Sequence, residues 1–360
     1  MATWETWSAP DRRALLSRTP VAVLMGGTSD ERGVSLVSGA AVSASLRDLT
    51  GPSYDVTPPI FEVEIDARGR WVLDGAPLEP HQAIASLPDD TVFLLALHGG
   101  EGEDGTVQRL LRDHRRRHTG EGPDASALCM DKHRSREAAA GAGVAVAPGA
   151  FVSAEDFRAD RAAALATLSD AAAWPCFLKH SAAGSSVGVH RCATAEQLAV
   201  AADAVVELGG DLLVEAEVVG LETTVGVMGP GEDAATLPVA EVIPAPGAFF
   251  DHEQKYSDES GAEEYCPPRY LPDALERRLE QRARSAWGAL GGEVYGRIDF
   301  IVPGTRGEDG GYRFDDGAEP VLLEANTLPG FTPRSLLPLA ASVEGVGFRE
   351  LCLELVARAL

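Results

Sequence analysis

Two short apolar runs, Arg297 to Val302 and Val321 to Ala325, carry polar groups that a purely structural strand does not need. Their length and β-branched content are those of buried strands. Strand side chains alternate between faces, so Arg297 and Asp299 share one face of the first run, and Glu324 and Asn326 one face of the second. If the strands pair, the four groups converge. Asp299, Glu324 and Asn326 then offer only oxygen donors, which suits Mg2+, a hard cation that keeps waters and substrate phosphates in its shell. The competing reading is an Arg297–Asp299 ion pair with Asn326 starting a turn. For any one residue that reading is the commoner, but four polar groups on two apolar strands favour a metal and anion site.

The cations able to serve such a site are few. The chain holds three lysines, Lys132, Lys179 and Lys255, its other basic side chains being arginine or histidine. Each lysine sits beside a Gly-rich or loop-like stretch, and a compact ammonium on a flexible stem is a common point-charge ligand for phosphate. Lys179 lies in one arm of WPCFLKHSAAGSSVGVHRC, a hairpin whose small tip, with Ser185 and Ser186, can lay backbone N–H groups and hydroxyls over phosphates. A plain hairpin turn is the alternative. Glu215 and Glu222, on or next to strands, are candidates for nucleotide hydroxyl or amino groups, or are edge charges that block aggregation. Lys255 and Tyr256 centre a loop from Pro244 to Pro268 of a length typical of lids.

These residues need elements to position them. VAVLM from Val21, then GGTSDERGVSL and a small-residue helix to about Leu49, open an open α/β sheet, whose ligands lie beyond the carboxyl ends of strands. Glu31 stands in that turn, where a carboxylate also suits the helix dipole. A second apolar strand, residues 91–97, ends in His98 and a Gly-rich acidic loop. The basic run at 113–118 reads as a solvated helix end. Asp131 reads as the cap of a helix from Lys132 to about Gly141, an Ala-rich helix is expected from Ala154 to Ala172, and Thr194 with Gln197 reads as a capping box.

Composition sets bounds. A chain of 360 residues suggests two or three domains. A net charge of -24 argues against nucleic acid or an anionic membrane as partner. Five scattered cysteines without a C-x-x-C pair fit a reducing cytoplasm.

Taken in order, GGTSDERGVSL, HGGEGEDGTVQ, MDKHRSR, GSSVGV, the GRIDF strand and EANTLPGFTPRSL resemble the D-alanine-D-alanine ligases of the ATP-grasp superfamily over nearly the whole chain from Val21. The resemblance implies an α/β enzyme with an extension at 1–20, an N-terminal parallel α/β substrate domain at 21–122, and two α+β ATP-grasp subdomains at 123–217 and 218–360. It implies ATP and Mg2+, with Mn2+ as the alternative ion, small amino acid substrates and a homodimer. It implies joining of two D-alanines through an acyl phosphate for peptidoglycan synthesis.

Carried onto this chain, Asp299, Glu324 and Asn326 match the metal ligands, and Lys132, Lys179 and Lys255 the phosphate contacts, with Ser186 in the phosphate-covering hairpin. Glu215 and Glu222 resemble the adenine and ribose contacts, with Val218 giving backbone to the adenine edge. Glu31, Ser185 and Tyr256 resemble the trio that secures the first substrate and locks the lid, with His98 beside them. Arg297 and the Gly330 N–H resemble oxyanion stabilisers, and Ser335 with Leu336 the holders of the second carboxylate. The chain departs from the family's usual pattern at His180 after Lys179, at Ala182 and Ala183 before the hairpin tip, and at Ala216 and Glu217 after Glu215. A relative joining D-Ala with D-lactate or D-Ser, or a natural-product pair, would keep the same motifs; a non-catalytic nucleotide-binding module is the alternative from another class.

Overall fold

The computed structural model describes residues 7–50, 53–184, 188–243, 263–307 and 310–360. After α1 (Pro10–Leu16), the chain runs through β1 (Val21–Gly26), α2 (Arg32–Arg47), β2 (Ile60–Ile65), β3 (Trp71–Leu73), β4 (Ala76–Leu78), α3 (Pro80–Ser86), β5 (Val92–Leu95), α4 (Thr106–Asp113) and β6 (Arg117–His118). These strands form one sheet in the order β4-β3-β2-β1-β5-β6, with β2, β1, β5 and β6 mutually parallel and β3 antiparallel to both β2 and β4. Alternate residues of β1 feed two cores. Val21 and Val23 pack on one face, Ala22 and Leu24 on the other, so the strand is apolar throughout, as a sheet covered on both sides requires. Gly26, at φ 91°, ends β1, and a Cβ there would strike the Ile65 carbonyl.

The second sheet lies within α5 (Pro123–Met130), α6 (Lys132–Gly141), β7 (Ala145–Val146), β8 (Gly149–Val152), α7 (Ala154–Ala159), α8 (Arg161–Ala171), β9 (Cys176–His180), β10 (Val189–Cys192), α9 (Ala195–Glu207) and β11 (Leu212–Ala216). Its order is β10-β9-β11-β8, all antiparallel. Cys176, Leu178, Leu212 and Val214 pack under α8 and α9. By strand alternation Phe177, Lys179 and Glu215 emerge on the opposite face.

The third group comprises β12 (Gly220–Met228), β13 (Ala235–Thr236), β14 (Ala240–Ile243), β15 (Glu263–Tyr265), α10 (Asp273–Ala289), β16 (Tyr295–Pro303), β17 (Thr305–Arg306), β18 (Tyr312–Arg313), β19 (Val321–Asn326), α11 (Leu336–Val343) and α12 (Phe348–Arg358). Its sheet runs β15-β14-β12-β16-β19-β7, with β13 on β12. Ile298, Phe300 and Val302 pack with the fully buried Trp287 of α10, leaving Arg297, Asp299 and Ile301 on the other face. Strand β7 reaches this sheet from earlier in the chain and pairs parallel with β19, so α5 and α6 pack with the third sheet although they precede the second. The chain's end turns back: α12 packs on α2 and β5.

Three expectations change. The Ala-rich helix is two helices broken at Asp160, whose carboxylate caps the second by accepting Ala163 N–H at 3.0 Å. The basic run is not a solvated helix end: α4 stops at Asp113, Arg117–His118 is an edge strand, and the buried Arg116 guanidinium donates to the Ile84, Leu87 and Pro88 carbonyls. Gln197 takes the N–H of Ala193 instead of completing the box at Thr194, whose hydroxyl accepts from Gln197 N. The Asp131 cap stands, with Arg134 N donating to its Oδ1 at 3.1 Å.

Candidate active site

The exposed faces of the second and third sheets bound a cavity of about 150 Å³, lined by Phe177, Lys179, Val189, Glu215, Ala216, Val218, Glu222, Asp299, Ile301 and Leu322 among others. Its walls are largely apolar, with charged side chains among them, a composition suited to a planar heterocycle with polar attachments. A second cavity, of about 110 Å³, opens toward the first sheet and is lined by Glu31, His98, Glu103, Glu264, Arg297, Asn326, Gly330, Ser335 and Leu336 among others. Lys132 and Glu324 line both.

The strands that carry Arg297 and Glu324 do pair. Antiparallel β16 and β19 set Arg297 opposite Asn326 and Asp299 opposite Glu324, and the register shifts immediately after Asp299. The ion pair and the turn are both present. Arg297 clamps Asp299 bidentately, Nε to Oδ1 and Nη2 to Oδ2 each at 2.8 Å, and Thr224 donates to Oδ1 at 2.5 Å. Asn326 Oδ1 accepts Leu328 N–H at 3.1 Å, starting a turn. The same arrangement groups three oxygen-bearing side chains where the two cavities meet. Lys132 Nζ stands 3.8 Å from Glu324 Oε2, so each acidic side chain has a cation near it.

Lys132 is fixed by the cap of its own helix. Asp131 accepts the Ser181 hydroxyl at 3.1 Å, Lys132 N donates to Ser181 O at 2.8 Å, and Lys132 Nζ reaches Ala183 O at 2.5 Å. The hairpin base is thereby tied to the start of α6. His180 follows Lys179 in that base, and its Nδ1 accepts Ala182 N–H at 3.1 Å. Burial, and secondarily the charge on Lys132, push the His180 pKa below the usual histidine value, which favours the neutral ring that can accept this bond. Lys179 Nζ is 2.5 Å from Glu215 Oε2, and Arg136 Nε is 3.0 Å from Glu215 Oε1. Glu217 instead pairs with Arg191 at 2.6 Å.

In the second cavity Glu31 is buried at the start of α2. His98 is buried, with Nε2 3.0 Å from Ser38 Oγ and Nδ1 3.7 Å from Glu103. Ser335 Oγ accepts Thr332 N–H at 3.1 Å and lies 2.9 Å from Thr332 Oγ1, and Leu336 begins α11. Burial raises the Glu264 pKa, while Arg297 and Arg334 pull it down. Ser185, Ser186, Lys255 and Tyr256 lie outside the described residues, as does most of the 244–268 loop; its residues 263–265 form β15.

Reasoning from the sequence alone missed Phe177, Ile301, Arg136 and Glu264. Three of these had a signal: Phe177 is two residues from Lys179 on one strand, Ile301 two from Asp299 on another, and Arg136 four from Lys132 on one helix, so each shares a face with a residue already singled out.

A family model described as the D-ala D-ala ligase C-terminus matches residues 139–357. The D-alanine–D-alanine ligase of Kineococcus radiotolerans is 34% identical, the match spanning 94% of this chain and 96% of that protein. That of Granulibacter bethesdensis is 38% identical over 94% of this chain and 97% of its own. Among solved structures, the VanG D-Ala:D-Ser ligase from Enterococcus faecalis superposes with a TM-score of 0.73 at 25% identity, covering 95% of this chain and all of its own. A D-alanine–D-alanine ligase from Bacillus anthracis complexed with ATP has the same fold, with a TM-score of 0.71 at 24% identity over 95% of this chain and 97% of its own. Two sheets that face each other across a largely apolar cavity, and sequence likeness along nearly the full length, agree: the chain belongs to the D-alanine–D-alanine ligase family and has its ATP-grasp fold.

Proposed function

We propose that this chain is an ATP-dependent ligase that forms D-alanyl-D-alanine, releasing ADP and phosphate, as a step in making peptidoglycan precursors. The observation that carries the reading is the shared wall: a mostly apolar cavity and a polar one meet at Lys132 and Glu324. ATP in the first would put its γ-phosphate at that wall, facing a carboxylate in the second. The first D-alanine carboxylate takes the γ-phosphoryl group and ADP leaves. The second amine attacks the acyl carbon, phosphate departs with the bonding pair, and the amine gives up a proton.

Lys132 and Lys179 hold the triphosphate, with Lys255 and Ser186 as further contacts. Glu215 and Val218 meet the adenine edge and Glu222 the ribose. Glu31, Ser185, Tyr256 and His98 hold the first D-alanine, and Ser335 and Leu336 the carboxylate of the second. Arg297 and the Gly330 N–H face the oxygen that gains charge at the acyl carbon. Asp299, Glu324 and Asn326 form a hard-oxygen set that fits Mg2+ or Mn2+. Such an ion supplies charge neutralisation on the transferring phosphoryl group. Exclusion of water from the site would protect the acyl phosphate from hydrolysis.

The test is incubation with ATP, Mg2+ and a panel of D-amino and D-hydroxy acids, with products identified by mass. D-Ala-D-Ala and one ADP per dipeptide are expected. Product from another pair without D-Ala-D-Ala would replace this reading with that of a ligase for the other pair, and no ADP release with any pair would leave a binding module. A homodimer is the expected assembly, read by light scattering on the purified protein.

A further inference from the structure

Glu215 is a buried carboxylate, 5% exposed, in the wall of the apolar cavity. A charge so placed needs a cation, because an unpaired buried ion costs several kcal/mol. Two cations are at hand: Lys179 at 2.5 Å on Oε2 and Arg136 at 3.0 Å on Oε1. They are not equivalent. Lys179 lines the cavity, whereas Arg136 is absent from the described lining of either cavity. Arg136 projects from α6, is 9% exposed, and is anchored by a hydrogen bond from Nη2 to the Ala147 carbonyl. Its Nε–H is not aligned for a hydrogen bond with Glu215, so the contact acts through charge.

We infer that Arg136 is a positioning residue for nucleotide recognition: it stays as the counter-ion of Glu215 when Lys179 leaves that carboxylate for the phosphates of ATP. The inference rests on the ATP-dependent reading above and adds to it the device that frees the lysine. Without Arg136, Lys179 could not depart without stranding a buried anion, so the ion pair would compete with phosphate binding. With Arg136 in place, Oε1 remains neutralised and Oε2 turns to the exocyclic amine of adenine. A carboxylate only accepts hydrogen bonds, so it favours the amine of adenine over the carbonyl of guanine. Arg136 also holds the 147–148 backbone, where Ala147 borders the cavity and Pro148 O accepts Ala216 N–H at 2.8 Å.

The experiment compares wild type, Arg136→Ala and Arg136→Lys for KM of ATP, KM of D-alanine, the ATP-to-GTP ratio of kcat/KM, and thermal unfolding. Wild-type D-Ala-D-Ala formation is measured first, so failure of the underlying reading shows there and not in the variants. For Arg136→Ala, KM of ATP should rise at least 10-fold and the ATP-to-GTP ratio should fall at least 5-fold, with KM of D-alanine within 2-fold. Arg136→Lys, which keeps the charge and is expected to fold, should recover most of both. If Arg136→Ala changes stability while leaving KM of ATP and nucleotide preference as in wild type, Arg136 is only a structural brace and the inference is overturned. Should Arg136→Ala not fold, Arg136→Gln replaces it with the same expected changes, and wild-type nucleotide parameters in that variant overturn the inference equally.

Discussion

Asp299 serves two relationships that its sequence context left open. Its carboxylate is clamped by Arg297 and by the Thr224 hydroxyl, and it stands opposite Glu324 across the β16–β19 ladder. An ion-pair role and a metal-ligand role make different demands. Asp299→Asn keeps shape and one acceptor but removes charge, so a purely structural pair would lose stability and leave the Mg2+ dependence of turnover alone. If Asp299 is a ligand, the variant should release ADP at least about 100-fold more slowly and need more Mg2+ for half-maximal rate. An Mg2+ titration of ADP release decides, and an unchanged midpoint with only a lower melting temperature would remove Asp299 from the metal site. At this scale the polar members were legible because charge on an apolar strand is anomalous, whereas nothing in the residue type of Phe177, Ile301 or Leu322 marks a cavity wall, which has the same composition as core.

The site depends on which face each strand presents, and short strands must hold their register to keep it. Strand β8 shows the constraint: Gly149 lies opposite Glu215, and a Cβ on it would strike the Val214 carbonyl. Gly149→Ala should therefore force β8 away from β11, costing about 1–3 kcal/mol and moving Glu215 relative to Lys179. The expected pattern is a lower urea midpoint together with a raised KM for ATP and an unchanged KM for D-alanine; equal KM values for ATP in variant and wild type would show that the strand can shift without disturbing the nucleotide wall. Regular elements were read from the sequence where a local signal was strong, as in the continuous apolar run of β1 and the Thr194 cap of α9. Others needed tertiary information. Nothing local marks two-residue β7 as a strand of the third sheet, and Asp160 breaks an Ala-rich stretch because its side chain caps α8, a role that a run of good helix formers conceals.

Across the whole molecule, the site requires the first sheet and the third to stay in register, because Glu31 and His98 come from one and Arg297 and Asn326 from the other. Among the described residues, two seams join them. Arg349 of α12 donates to Ser53 Oγ at 3.1 Å and to Val56 O at 2.7 Å, and one apolar core includes Val21 and Leu94 with Leu337 and Leu353. The other seam is Glu121, 1% exposed, whose carboxylate accepts the N–H groups of Glu293, Val294 and Tyr295 at 2.8, 2.6 and 3.0 Å. That seam could not be read from the sequence, since its partners are backbone groups that any sequence supplies. Those residues lead into or begin β16, two positions before Arg297. Burial pushes the Glu121 carboxyl up to about 7, against the pull of the three N–H groups. The folded state therefore binds a proton that the unfolded chain, titrating near the ordinary glutamate value of about 4.5, has released. The resulting stability is complete below that value and is lost as pH rises through about 7, after which it is level. Glu121→Gln removes the titration, so the difference in unfolding free energy between wild type and variant should vary between pH 4.5 and 7 and be constant above 8. Urea unfolding of both proteins across pH 4.5–8.5 measures it. A difference that does not change with pH would mean that the three N–H groups hold Glu121 ionised throughout, making the seam a permanent charge clamp on the strand that carries Arg297.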